Sequence, residues 1–321
     1  MVKGLKRKYD RGIALLATIL AIALMTLLVI EFTSSAVLGY RAAANQADAL
    51  RARYLGRSGI AVGLAMLAQD ELKDVGAPSN YHPYDGLDKI WAQPIPPIPV
   101  EGGNVSFSIV DEARKINVNN LYNARAHAVD PKYEGILARL FTNIGVSTDL
   151  LPIIEDWLDP DSIDSPGGAE ADYYLRLNPP YEPRNGPMPT IGDLRMLKGM
   201  NDTTFMRLSQ FLTTMPEPGV NPNTASPEVL AALTPELENN SDLVKEIVAA
   251  RSFRPFMATT DLTNLPGLGQ YVADLSPLLT TRGSYFTITA AGGFAGARQR
   301  IYATFRRNNN GTAMLMNWHE D

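Results

Sequence analysis

The stretch RGIALLATILAIALMTLLVIEFT, Arg11–Thr33, decides the fold of this chain. From Gly12 to Ile30 it holds nineteen uncharged residues, close to the ~20 that a helix needs to cross the hydrocarbon core of a bilayer. Five Lys or Arg residues and one Asp precede Gly12, and this excess of positive charge predicts a cytoplasmic N-terminus. The run is longer than the roughly 7–15 apolar residues of a cleaved secretion signal, and no clear small-x-small site ends it. We therefore expect a retained spanning helix over 13–30.

The helical pattern continues past the apolar run. The sequence has no Pro before Pro78, and apolar residues recur at helical spacing, among them Val37, Tyr40, Leu50 and Tyr54. One helix is therefore predicted over 13–75, hydrophobic at first and amphipathic later. At about 1.5 Å per residue its length is on the order of 90 Å, far more than one bilayer.

Alternating apolar and polar residues, typical of β-strands, occur on both sides of a long segment that lacks this alternation. Val105, Phe107 and Ile109 alternate along one strand, and the runs at 284–293 and 297–307 predict a hairpin with Gly292, Gly293 and Gly296 in its turn. The fold class is therefore α+β, a long N-terminal helix plus an antiparallel sheet interrupted by a large all-α insertion. The predicted bounds are 76–111 and 281–307 for the β domain, 112–280 for the insertion and 308–321 for a flexible tail.

An internal repeat divides the insertion into 112–215 and 216–280. KINVNNLYN in the first part corresponds to GVNPNTASPEVL in the second, and both parts end in Asp-Leu-x-x-Leu-x-Gly, starting at Asp193 and Asp261. Asn side chains suit the turns before the helices, and Gly267 and Gly269 suit a tight turn between two helices. The second part resembles a helix-hairpin-helix module, so we expect two helix-hairpin-helix-like or SAM-like repeats.

Such modules often bind DNA, but the charges disfavour that role here. Residues 216–280 contain three basic and eight acidic residues, and the whole chain has a formal charge of −5. Phosphate backbones are bound by basic stripes, which this segment lacks. A structural or protein-contact role is the favoured interpretation, and DNA binding is the alternative.

An acidic loop lies inside the first repeat. Between Glu155 and Asp172 there are seven carboxylates and no Lys or Arg, and such a cluster repels itself unless it is solvated or neutralised by a cation. Oxygen ligands without His or Cys suit a hard ion, calcium before zinc. From the residues alone, a solvated loop and a metal site both remain open.

Composition argues against most enzyme classes. The chain has no Cys, and its three His residues are far apart in sequence, so thiol chemistry and clustered His ligands are not indicated. Nucleotide-binding loops and hydrolase motifs are missing from the sequence. A membrane-anchored hydrolase using Asp159 and Asp161 is a weakly supported alternative. We expect a protein that is not an enzyme.

Several motifs resemble known families. The basic leader ending in Gly12, followed by the apolar helix, resembles the type IV pilins and pseudopilins, although these usually carry Glu at the position of Ala17. DE-x-x-KIN-x-N from Asp111, IEDWLDPD from Ile154 and GAE-x-x-YY from Gly168 occur in this order. Together they resemble the minor pseudopilin K family of type II secretion over almost the whole chain.

This resemblance implies a type IV pilin-like fold and a role in protein export. A prepilin peptidase would remove the leader, 1–12, by cutting between Gly12 and Ile13. The protein would be anchored in the inner membrane by one span, with its bulk in the periplasm. There it would cap the pseudopilus tip and help to start assembly, with minor pseudopilins I and J, other pseudopilins and the inner-membrane assembly platform as partners. No nucleic acid is expected, and a DNA-uptake pilin is the alternative.

The resemblance also implies calcium binding by the acidic loop. Carried over to this sequence, the ligands would be drawn from Asp159, Asp161, Glu170, Asp172, Asp156 and Asp164.

Overall fold

The structure, a computed structural model, describes residues 3–75, 82–308 and 310–321, with the side chains of the first helix described from residue 12 to residue 73. That helix, α1, spans Lys3–Val75 without a break. It begins before the predicted start because the basic segment contains no proline and continues the helix. Its most apolar 18-residue window has a mean hydropathy of 2.9 and is not buried at all, so α1 is long and apolar enough to cross a membrane. Residues 1 and 2 of the predicted leader lie outside the described residues.

A five-stranded antiparallel sheet packs against the second half of α1. The strands of the chain are β1 (Ile98–Val100), β2 (Gly103–Asp111), β3 (Ile116–Asn117), β4 (Tyr122–Asn123), β5 (Ala128–Val129), β6 (Leu212–Thr213), β7 (Tyr285–Phe294), β8 (Ala297–Arg307) and β9 (Ala313–Glu320). The five-stranded sheet has the order β1-β2-β7-β8-β9. Val105, Phe107 and Ile109 of β2 are buried, as their alternation predicted, and Phe107 and Ile109 share a core with Ile288 of β7 and Ile60 of α1.

The glycines of the predicted hairpin turn have different positions from those expected. Gly292 and Gly293 belong to β7, and only Gly296, with φ +92°, lies in the turn. A Cβ on Gly292 would lie 2.0 Å from the carbonyl oxygen of Ala52 in α1. Gly292 therefore allows helix and sheet to approach each other, which is a packing role rather than a turn role.

The prediction of a flexible tail over 308–321 is wrong. Residue 309 lies outside the described residues, but 313–320 form β9, which pairs with β8 along the edge of the sheet. Glu320 accepts hydrogen bonds from Arg53 and Arg57 of α1, and Trp318 lies under the Arg57 guanidinium. Charged contacts with α1 and pairing with the free edge of β8 order this segment, although apolar and polar residues do not alternate along it.

The insertion between β2 and β7 has a hydrophobic core of its own. It is mostly helical, but it is not all-α, because β3 pairs with β6 and β4 pairs with β5. Each of these strands has two residues, too short to leave a period-2 signal. The α-helices after α1 are α2 (Pro131–Asn143), α3 (Leu150–Leu158), α4 (Ala171–Tyr174), α5 (Asp202–Leu208), α6 (Pro227–Ala232), α7 (Pro235–Asn239), α8 (Ser241–Phe253) and α9 (Val272–Leu275). Single 3₁₀ turns lie at Ile90–Ala92, Glu112–Arg114, Val118–Leu121, Ile191–Met196, Thr259–Asn264, Gly269–Tyr271 and Ser276–Leu278.

One hydrogen-bonding pattern occurs twice in the insertion. The side chain of Asn119 donates to the carbonyl of Met188 and accepts from its amide, at 2.9 and 2.8 Å. Asn223 forms the same pair with Phe256, also at 2.9 and 2.8 Å. Both Asn residues come from the segments that the repeat aligns. Each clamps the chain just before the Asp-Leu-x-x-Leu-x-Gly element of its own half.

A buried polar network fixes the insertion to the sheet. Asp111, at the end of β2, accepts hydrogen bonds from Asn221 Nδ2 at 2.9 Å and Thr224 Oγ1 at 2.8 Å. Burial, and then repulsion from Asp85, raises the pKa of Asp111 to about 7. Asp85 in turn pairs with Arg307 of β8 at 2.5 Å. Asn221 Nδ2 also donates to the Asp85 carbonyl at 3.0 Å, so the insertion is linked to β2 directly and to β8 through Asp85.

Candidate metal centre

The acidic loop begins on α3 and is closed by Asp156. The apolar residues of α3 are buried, and Asp156, in its last turn, is also fully buried at 0% exposure. Its carboxylate accepts hydrogen bonds from the amides of Ser165 at 3.1 Å and Ala169 at 2.7 Å. A carboxylate near a helix C-terminus is disfavoured by the helix dipole, so these amide donors matter to its stability. They fold residues 157–169 back over the end of the helix.

Gly168 makes this closure sterically possible. A Cβ at this position would lie 1.9 Å from Asp156 Oδ2. Gly167 has φ +91°, a conformation that favours glycine. The two glycines thus let the chain return, so that Glu170 lies beside Asp156.

Three carboxylates meet where the loop closes. Asp156, Asp159 and Glu170 each offer an oxygen within 4.8 Å of the others. All three are buried, Asp159 at 8% exposure and Glu170 at 2%. Oδ1 of Asp159 and both carboxylate oxygens of Glu170 have no hydrogen-bond partner. Buried acceptors without partners are costly, so the cluster as it stands lacks a compensating positive charge.

Burial and the closeness of the carboxylates raise the pKa values of two members of the cluster. Burial raises the pKa of Glu170 to about 7, and the neighbouring Asp159 and Asp156 carboxylates add to the rise. Burial likewise raises the pKa of Asp159 to about 6, with repulsion from Asp161 and Asp156 as further causes. In the absence of a cation, both groups therefore bind protons at a higher pH than ordinary carboxyl groups do. A bound cation would hold them in the ionised form.

Protein cations do not neutralise the cluster. Within the described part of the chain, no Lys or Arg forms an ion pair with Asp156, Asp159 or Glu170. Lys198 comes near, but its Nζ donates to the carbonyl of Gly168 at 2.9 Å. An all-oxygen set of three carboxylates suits a hard divalent cation such as calcium. The residues present therefore fit such an ion.

The remaining predicted ligands lie outside the cluster. Asp161 is exposed, and its Oδ1 accepts from the Ile163 amide at 2.8 Å. Asp164 is also exposed. Asp172 is 3.6 Å from Arg176, and both side chains are more than three-quarters exposed, at 88% and 80%. The structure thus brings together three of the six predicted residues.

One polar residue of this region was not predicted from the sequence. Asn185 lies in the loop after α4, and its side-chain Nδ2 donates to the backbone carbonyl of Asp161. Its Oδ1 is buried without a hydrogen-bond partner, as are the free oxygens of Asp159 and Glu170. In the sequence it is part of an Asn-Gly pair, which indicates only a turn.

Two of the three basic residues of the second repeat contact other residues of the same repeat. Arg251 donates to the backbone carbonyls of Pro222 and Ala225, at 2.8 and 2.6 Å, and Lys245 pairs with Asp242 at 2.8 Å. Arg251 therefore holds the turn before α6 and is not directed at solvent. Gly267 has φ +77°, as the predicted helix–helix turn requires, whereas Gly269 starts a 3₁₀ turn.

The chain is similar in sequence to known proteins. The family models described as type II secretion system (T2SS), protein K, match residues 114–217 and 220–282. Type II secretion system protein K of Pseudomonas aeruginosa is 29% identical over 318 residues, covering 97% of this chain and 92% of the relative. That of Klebsiella pneumoniae is 30% identical over 238 residues, covering 70% and 71%.

The fold is also similar to a solved structure. A chain in the crystal structure of the GspK-GspI-GspJ complex from the enterotoxigenic Escherichia coli type 2 secretion system aligns with a TM-score of 0.71 and 17% identity. The alignment covers 86% of this chain and 98% of that one. The likeness extends to the long helix, the antiparallel sheet and the helical insertion, and the family models and relatives identify the chain as a component of type II secretion systems. Within that class, the chain belongs to the protein K family.

Proposed function

We propose that this chain is a non-enzymatic minor pseudopilin that caps the tip of the type II secretion pseudopilus and helps to initiate its assembly for protein export. The observation that carries the proposal is the fold likeness, which extends over 86% of the chain to a protein solved together with GspI and GspJ. Minor pseudopilins I and J are accordingly the proposed partners. Other pseudopilins and the inner-membrane assembly platform would be met during assembly.

The shape of the protein supports a tip position. The insertion occupies residues 112–280 and carries its own core beside the sheet. On a filament shaft such a bulk would collide with the next subunit, whereas at the tip nothing follows it. The repeated Asn119 and Asn223 clamps support an insertion built from two related helix-hairpin-helix-like units that serve as scaffold. No observation favours the DNA-uptake alternative, since Arg251 donates to backbone carbonyls and Lys245 pairs with Asp242 at the surface.

The apolar half of α1 supports a membrane anchor that later joins the filament core. Its side chains are exposed throughout, as at Ile13 (65%) and Ile30 (59%), and they need either lipid or neighbouring helices. We place the span in the inner membrane and the bulk of the protein in the periplasm. Prepilin peptidase would cut between Gly12 and Ile13. Ala17 would suit a first subunit, which has no earlier neighbour whose N-terminal amine it must pair with.

Calcium is the proposed ion of the metal centre. Asp156, Asp159 and Glu170 would hold it, because their oxygens already lie together and three of them lack partners. The ion would neutralise the cluster and keep the loop folded outside the cytoplasm. Asp161, Asp164 and Asp172 would take part only if their exposed side chains turned inward.

Complex formation tests this function. The full chain in detergent micelles is mixed with full-length cognate I and J subunits, with calcium or with a chelator, and the products are separated by size-exclusion chromatography. A single complex of the three chains is expected in calcium. If the chain binds neither subunit in either condition, the tip assignment fails.

A further inference from the structure

We propose that a groove on the outer face of the sheet binds an extended, acidic segment of the exported protein. The groove lies on the face opposite α1, beside the turn between β7 and β8. The proposal rests on the export function proposed above and adds a binding site on the sheet, outside the insertion.

The register of three strands builds the groove. One row across β2, β7 and β8 consists of Asn104, Gly293 and Arg298, and the next row consists of Ser106, Ala291 and Arg300. These residues point away from α1, because Gly292, between the two rows, faces the Ala52 carbonyl of the helix. Small residues on the middle strand leave a trough of about 640 Å³ between the side chains of β2 and β8.

The groove carries positive charge that the protein does not neutralise. Arg298 and Arg300 are exposed, and within the described ranges neither forms an ion pair. The Arg300 guanidinium donates to Tyr302 Oη at 3.3 Å, and the carboxylate of Asp321, at the rim of the groove, contacts His319. On a chain with a formal charge of −5, this is a local basic site, and it complements an acidic partner.

The spacing of the two Arg residues fits an extended acidic segment. Residues i and i+2 of one strand lie about 7 Å apart and on the same face. Alternate side chains of an extended peptide have the same spacing, so Asp or Glu at every second position would meet Arg298 and Arg300 in turn. A guanidinium binds a carboxylate through two parallel N–H donors. The low floor at Ala291 and Gly293 leaves room for the backbone of the peptide.

The orientation of the groove selects a partner from outside the filament. The inner face of the sheet packs on α1, the element proposed to join the filament core, so the outer face points away from that core. A lipid surface does not suit the groove. Ala52, behind it, follows the end of the predicted span at Ile30 by about 33 Å of helix, well beyond the screening length of ~8 Å. The exported protein passes the tip on the accessible side.

Two substitutions on one strand test the groove. Arg298→Gln and Arg300→Gln together remove its charges, and Arg306→Gln is the matched control, because Arg306 is exposed on the same face of β8, about 20 Å beyond Arg300. The probe is a fluorescent peptide with Asp at every second position, titrated with the full chain in detergent. We expect the double variant to bind it roughly tenfold more weakly than wild type and Arg306→Gln do. The difference should shrink at high salt.

The peptide measurements decide the class of ligand. Equal affinity of wild type and the double variant for the Asp peptide overturns the groove as a binding site. The same peptide with Asn in place of Asp, and an oligothymidylate, are titrated in parallel. Oligothymidylate binding that is as tight as peptide binding and is lost in the double variant overturns a protein ligand in favour of nucleic acid. Unfolding temperatures show whether the variants are folded.

Secretion by cells decides the source of the segment. Cells with the double variant should assemble pseudopili and form the complex with I and J, but export less protein than cells with Arg306→Gln. Unchanged export overturns the proposal. If the folded double variant forms no filaments or no complex with I and J, the groove is a contact between subunits, and the assignment to the exported protein is overturned. If wild type itself forms no complex with I and J, the tip function fails irrespective of the groove.

Discussion

Asp156 and Ala169 are joined across thirteen residues of the acidic loop by a 2.7 Å hydrogen bond from the Ala169 amide to Asp156 Oδ2. This bond brings the start of α4, and with it Glu170, back to the end of α3. The candidate metal centre therefore depends on a loop closed by backbone donors. Binding of an ion there would be coupled through this bond to the folding of the loop.

Gly168→Ala should open this loop. The new Cβ would meet Asp156 Oδ2 at 1.9 Å, so the carboxylate or the chain must shift. We expect the free energy of unfolding to fall by about 1–3 kcal/mol and calcium affinity to drop with it. Urea unfolding of the full chain in detergent measures the first effect. Gly186→Ala is the control, since its Cβ would meet nothing nearer than the Arg184 carbonyl at 3.9 Å. Equal losses in both variants would contradict the closure role.

Calcium binding should weaken as the pH falls. The pKa of Glu170 is raised to about 7 and that of Asp159 to about 6, so protons compete with the ion below neutral pH. Calorimetric titrations at pH 8 and pH 5.5 measure the effect, and affinity should be clearly lower at pH 5.5. An affinity independent of pH over this range would argue against these two ligands.

The calcium-free protein should show the opposite dependence in its stability. Because both folded pKa values lie above the ordinary values of 4.5 and 3.8, the folded state binds more protons than the unfolded state. The stability that this provides is present below pH 4 and is lost as the pH rises through 6 and 7. Unfolding temperatures in chelator should therefore fall between pH 5 and pH 8. Glu170→Gln should flatten the curve in part, leaving the contributions of Asp111 and Glu217, whose pKa values are raised to about 7 and about 8.

Gly292→Ala should separate α1 from the sheet. Its Cβ would be only 2.0 Å from the Ala52 carbonyl, and backbone on both sides leaves little room to adjust. We expect a loss of at least about 1–3 kcal/mol in the free energy of unfolding, or failure to fold. Gly293→Ala serves as control, because its Cβ would meet the flexible Asn104 side chain at 3.0 Å. Similar stability of the two variants would show that close helix packing is not required.

Arg307→Met should loosen the insertion from the sheet. The Arg307 side chain is 7% exposed and pairs with Asp85 at 2.5 Å, and it also donates to the Gly283 carbonyl at 2.8 Å. Removing it leaves Asp85 buried without its cation, a change that costs about 3–5 kcal/mol. Limited proteolysis should then cut near residues 281–284 sooner than in Arg306→Met, where the side chain is exposed. Unchanged cleavage would contradict the anchoring role.

Parts of the fold whose patterns are local could be predicted from the sequence. The apolar run from Gly12 to Ile30 and the absence of Pro predicted α1, and the alternation of Val105, Phe107 and Ile109 predicted β2. β9 escaped prediction because it is ordered by distant partners, with Glu320 held by Arg53 and Arg57. Gly292 was wrongly predicted to lie in the hairpin turn for a similar reason, because its close packing against α1 exists only in the folded chain.

The site, like the fold, could be predicted from the sequence only where its signal is local. Composition located the acidic loop, but which carboxylates turn inward depends on Gly168 and on the amides that Asp156 accepts from. Asp172, only two residues after Glu170, points away to Arg176. The sequence did not indicate that Asn185 lies beside the acidic loop, because its contact with Asp161 forms only in the folded chain.

The tip position is the central claim, and labelling of intact filaments tests it most directly. The chain contains no Cys, so Phe253→Cys, at a site that is 92% exposed on the insertion, would introduce a unique thiol for a gold label. Labelled pseudopili are imaged by electron microscopy, with a shaft subunit labelled in parallel as control. If the chain caps the tip, one gold particle is expected at one end of each filament. Gold distributed along the shaft would contradict it.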